Sequence, residues 1–139
     1  MAVVTLTGVG VTVAGTDLSN RVKSVTINDD REELDDTVMS HSARSIFGGL
    51  PTPGITITFL QDYAASNVHE VLRAAVNVST TVVVRLTSSA ARSATNPEWH
   101  FTGKLMSYQP IDGAVGALQE RSVTFRPTGT PFTYLTTAT

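Results

Sequence analysis

The chain carries 21 threonines and 17 valines among its 139 residues. Both side chains branch at Cβ, which stiffens them in a helix and suits them to a pleated, half-buried surface. Their spacing constrains the fold more than their number. Val9, Val11 and Val13 alternate with small or polar residues, Ile55, Ile57 and Phe59 with Thr56, Thr58 and Leu60, and Val82, Val84 and Leu86 with Val83, Arg85 and Thr87. Trp99, Phe101 and Leu105 fall opposite His100, Thr102 and Lys104, and Val123 and Phe125 fall opposite Ser122, Thr124 and Arg126. A period of two marks antiparallel strands with one dry face and one wet face. Strands are expected near 3–7, 9–14, 21–28, 55–62, 80–87, 98–109 and 119–127. The fold class is mainly β.

One segment has a different period. In Ala64–Asn77, the residues Ala64, Val68, Leu72, Ala75 and Val76 recur every three or four positions, which predicts an amphipathic helix lying across a sheet. Asp62 or Ser66 could cap it, and the chain should leave it at Asn77-Val78-Ser79.

Charge is uneven along the chain. The run from Asp29 to Asp36 holds six acids and one arginine, whereas the whole molecule has a formal charge of only −2. One acidic segment therefore sits on a slightly basic body. It opens a stretch of about 26 residues, 29–54, that contains Gly48-Gly49, Pro51 and Pro53-Gly54 and shows little periodicity. A loop that long in a compact domain is uncommon and is usually functional or disordered. Leu34, Val38, Met39, Ile46, Phe47 and Leu50 argue against a disordered linker, because apolar groups on an excursion need a surface to cover them. The expected cover is a neighbouring subunit, with Glu32, Leu34, Val38, Met39, Ile46, Phe47 and Leu50 as the interface. At the other terminus, Pro127, Gly129 and Pro131 suggest an extended arm over 127–139.

Chemistry finds little support. The chain has no cysteine, which removes disulfides, thiolate metal sites and thiol nucleophiles. His41, His69 and His100 fall on three different expected elements, with no ligand-pair spacing. Ser40-His41-Ser42 lacks a nucleophile elbow. Counted from Asp29, the sixth and twelfth positions are Leu34 and Ser40, where a calcium loop needs Gly and Glu. Only two lysines join eight arginines, and the aromatics fall on dry faces, which is a poor design for gripping nucleic acid. No window reaches the roughly 20 apolar residues of a membrane helix. The expectation is a protein that is not an enzyme, with no cofactor, no metal and no membrane anchor.

Five stretches stand out by their order and spacing. They are the strands ending in Val13-Ala14-Gly15-Thr16-Asp17-Leu18-Ser19-Asn20-Arg21-Val22, then Glu32-Glu33-Leu34-Asp35-Asp36-Thr37-Val38-Met39, then Thr58-Phe59-Leu60-Gln61-Asp62-Tyr63. Asn96-Pro97 before a long strand follows, and Pro110-Ile111-Asp112-Gly113-Ala114-Val115-Gly116 leading to Val123-Thr124-Phe125 closes the series. Together they resemble the major tail tube proteins of long, non-contractile-tailed bacteriophages. The resemblance implies one domain over 1–139, built of two packed antiparallel sheets as a β-sandwich or partial barrel with one flanking α-helix. It implies hexameric rings stacked into a hollow tube, the 29–54 excursion reaching a neighbour, and DNA passing through the channel without specific binding. Its implied partners are further copies of the chain, a tape measure protein and tail-end or neck proteins. The implied location is the virion, after synthesis in the bacterial host cytoplasm. Two other readings stay open: a ring-forming tail terminator or neck joining protein, and a small β-sandwich carbohydrate-binding module.

Overall fold

The computed structural model describes residues 8–88, 90–111 and 113–136. The expected strand near 3–7 and residues 137–139 of the expected arm lie outside them. Among the described residues eight strands form: β1 (Gly10–Val13), β2 (Thr16–Asp17), β3 (Val22–Asp35), β4 (Ile46–Leu60), β5 (Thr80–Arg85), β6 (Glu98–Leu105), β7 (Glu120–Pro127) and β8 (Thr133–Leu135). They make one antiparallel sheet of order β2-β1-β5-β6-β7-β4-β3, with β8 added to β6. The mainly β expectation holds.

The sheet folds over on itself where β6 meets β7. Those two strands share only the pairs Gly103↔Pro127, Lys104↔Arg126 and Leu105↔Phe125. A Cβ at Gly103 would lie 2.5 Å from the Phe101 ring and 2.9 Å from the Arg126 carbonyl oxygen, so this close approach requires glycine. Beyond the fold, Val11, Val13, Val82, Val84 and Phe101 from one half meet Ile55, Ile57, Phe59, Val123 and Phe125 from the other in one core. The two expected sheets are thus two halves of a single sheet. The alternation that predicted dry and wet faces is what lets both halves turn their apolar side inward.

Helix α1 (Val68–Ala75) adds Val68, Val71, Leu72 and Ala75 to the same core. It is shorter than its expected span. Ser66 (φ +58°) and Asn77 (φ +56°) take left-handed backbone at its two approaches, and asparagine tolerates that at a helix end. Asn67 is the cap, its Oδ1 accepting from the Val68 amide at 3.1 Å. Asp62 works one turn earlier, accepting from the Ala64 amide and from Arg21 Nε, both at 2.9 Å. The described part of the C-terminal arm returns to the sheet. Phe132 packs against the core, Thr133–Leu135 pair with β6, and the Tyr134 ring sits 5.2 Å from that of Trp99.

The stretch 29–54 is not a loop. β3 and β4 continue through it as a hairpin paired from Val22↔Phe59 to Asp35↔Ile46, leaving only 36–45 as the turn. No residue from Asn28 to Thr52 is buried, so this half of the hairpin stands clear of the core. Losing a core ring such as Phe59 would cost the domain about 3–5 kcal/mol. Nothing comparable holds the distal hairpin, so the fold of the body does not depend on it.

Candidate assembly interface

The distal hairpin is a continuous two-stranded ladder closed by a hydrogen-bonded turn. At roughly 3.3 Å per residue, the eight residues from Asn28 to Asp35 carry it about 25 Å past the core. At its turn, the Thr37 amide donates to Asp35 Oδ1 at 3.0 Å, and the Thr37 hydroxyl donates to the Ser45 carbonyl at 3.2 Å. His41 belongs to this turn: its amide donates to the Val38 carbonyl at 2.9 Å, and its Nδ1 accepts from the Val38 amide at 3.2 Å. Thr37, through hydroxyl and amide, holds the Asp35 carboxyl below its ordinary range, with Arg44 assisting.

Pro51 and Pro53 explain how a proline-rich stretch can be strand. They fall two residues apart on β4, opposite Arg31 and Asp29, so their missing N–H groups would have pointed the same way, away from β3. β7 does not pair with β4 before Ile55, so that edge of β4 is open there. Prolines on an open edge remove donors that would otherwise recruit strands indiscriminately. A register shift between Arg31 and Glu33 marks a bulge, and a Cβ at Gly49 would lie 3.1 Å from Glu32 Cβ.

All seven residues expected at the subunit interface lie on this hairpin, and all are exposed. Leu34 and Phe47 face each other across the two strands, and Ile46 is paired with Asp35. Phe47 is 62% exposed, Leu50 84% and Met39 fully. Val38 and Met39 sit in the turn, and Glu32 at the bulge. Apolar groups and carboxylates are thus interleaved on one protruding arm. Such a surface is complementary to a partner that is apolar and basic.

Outside the hairpin, the wet side of the sheet is rich in hydroxyls, and Thr56 and Thr124 hydrogen-bond across β4 and β7 at 3.2 Å. It also holds a cluster that strand spacing alone did not bring into view. Glu98, 4% exposed, receives two bonds from Arg85 Nε and Nη2, and pairs with Arg92 and His100. Burial would raise the Glu98 pKa, but the bonds from His100 and Arg85 outweigh it and hold the carboxyl below its ordinary value. Beside it, Asn96 Nδ2 donates to the carbonyls of Thr87, Ala90 and Ala91, while its Oδ1 accepts from the Thr87 amide. Asn96-Pro97 therefore anchors the β5–β6 connection. Cross-strand pairing of Arg85 with Glu98 was the available signal, and it needs the register that the sequence does not display.

Among the described residues, no three His, Asp or Glu side chains gather as a metal site. His41, His69 and His100 remain on separate elements, His69 lying between the rings of Tyr63 and Tyr108. Among the described residues, no helix is long and apolar enough to cross a membrane.

No protein-family profile matches the sequence. No curated protein matches it either. The fold, however, is shared with solved assemblies. A chain in the virion of a native gene transfer agent particle superposes with a TM-score of 0.72 at 11% identity, covering 92% of this chain and 95% of that one. A chain of the sheath/tube terminator of an extracellular contractile injection system, in its extended state, gives 0.67 at 10% identity, with 95% and 96% covered. A chain from the tail of an empty gene transfer agent particle, solved with C6 symmetry, gives 0.65 at 11% identity, with 94% and 95% covered. These assemblies include a contractile system, so the likeness is broader than non-contractile tails. The chain has the fold found in tail and injection-tube components.

Proposed function

We propose that this chain is a structural virion protein that self-assembles into stacked hexameric rings, forming the hollow tail tube through which phage DNA passes to the host. The protruding hairpin carries this reading: an arm whose apolar side chains stand exposed among the described residues. Three further observations support it. Among the described residues both ends of the strand order, β2 and β3, present open edges, and joining such edges around a ring satisfies their amides through a heterologous contact. The shared fold includes a tail solved with C6 symmetry. A threonine-rich wet face suits a water-filled channel. DNA bears about one charge per 1.7 Å, so a channel that must release it does best without dense fixed cations.

The test is to delete residues 32–50. The body should keep its β circular dichroism and a cooperative melt while losing polymerisation under the electron microscope. Tubes formed by the deleted chain would contradict the bridging role. The terminator likeness supports a second reading, in which the chain closes a tube as one ring. Isolated rings from the intact chain, with no tubes at any concentration, would favour that reading.

A further inference from the structure

The hairpin needs a receiving surface, and the body offers one. After Leu105 the chain peels away from β7, leaving a groove of about 420 Å³ between residues 106–109 and that strand. Met106, Tyr108, Gln109, Arg121, Thr124 and Arg126 line it. Met106 is 64% exposed and provides an adaptable apolar contact. Arg121 donates to the Gln109 carbonyl and fixes one wall. Glu120, the acid on this groove, is paired with Lys23. Arg126 lines one end of the groove, and Lys104, just outside it, is its cross-strand partner; neither has an acidic partner among the described residues. Like charges opposed across strands destabilise a sheet. Two adjacent cations at a groove with an exposed methionine match the interleaved acids and apolar groups of the hairpin.

We infer that the acidic, apolar hairpin of one copy seats in the β7 groove of a second copy, against Arg126 and the neighbouring Lys104. The register keeps the distal part of a copy's own hairpin, from Glu32 to the turn, out of its own groove. Ile55 pairs with Phe125 and Leu60 with Glu120, so the groove runs from Arg126 away from the hairpin turn, which lies some ten residues up β4 in the other direction. At about 3.3 Å per residue that separation is on the order of 30 Å. A knob at one end and a groove directed towards the other make a heterologous contact, which repeats without closing along an axis. Seating the hairpin also neutralises the two cations. The inference rests on the self-assembly reading and adds the receiving surface to it.

Charge reversal tests it in the full chain. Lys104→Glu with Arg126→Glu reverses the groove; Glu32→Lys with Glu33→Lys reverses the hairpin. Each pair should raise the protein concentration needed for assembly at least about tenfold, read by sedimentation velocity and microscopy. Uniting all four changes in one chain should restore assembly, because the signs again oppose. Circular dichroism melts check that each variant folds. Should the groove variant unfold, the hairpin variant and Lys104→Gln with Arg126→Gln carry the test, each expected to weaken assembly. Unchanged assembly in the single-sided variants would overturn the inference and leave the tube reading standing. Loss without restoration in the fourfold variant would also overturn it. An intact chain that never assembles would overturn both.

Discussion

A carboxylate stripped of water is tolerated only where its charge is answered, and Glu98 is answered by Arg85, Arg92 and His100. Its folded pKa lies below the ordinary 4.5, so the stability it contributes is fully present above about that pH and is lost as pH falls through the folded value. Glu98→Gln should cost about 3 kcal/mol near pH 7, because it leaves clustered cations unanswered. In urea unfolding from pH 7 to pH 3 the gap between the two proteins should close below about pH 4.5; a constant gap would contradict the charge account. At this scale the sequence was partly legible. Phe59, Phe101 and Phe125 are core where alternation put them, whereas Trp99 is half-buried against Tyr134. Asn67 rather than Asp62 or Ser66 caps the helix, since polar residues at 62, 66 and 67 all offer acceptors near the helix start. Glu98 stayed hidden because pairing with Arg85 depends on register.

Among elements, the distal β3–β4 hairpin is the instructive one. Its residues show little alternation because neither of its faces is buried, and a strand without a dry face has no reason to alternate. Gly48-Gly49, Pro51 and Pro53-Gly54 read as loop signals, yet on an open edge proline is allowed and useful. The exposed apolar residues were legible all the same, because their need for cover does not depend on whether the backbone is loop or strand. Where β6 bends, Gly103 is the controlling residue. Gly103→Ala would set a methyl against the Arg126 carbonyl and Phe125 Cβ, at a cost of about 2–3 kcal/mol. The melting temperature should fall on the order of 5–10 °C. An unchanged melt would show that the fold-over does not require the missing side chain.

For the molecule as a whole, local periodicity showed which residues share a face but not which strands adjoin, so the single folded sheet emerges only with the strand order. The result is a body with a complete core and an arm without one. The core lies in the body; the arm, the open edges and the Lys104–Arg126 pair are all left unsatisfied among the described residues. Sedimentation velocity of the purified intact chain from micromolar to millimolar concentration, with electron microscopy of the same samples, tests that claim most directly. The account predicts open-ended tubes of constant diameter that lengthen as concentration rises. A monodisperse monomer throughout that range would contradict it.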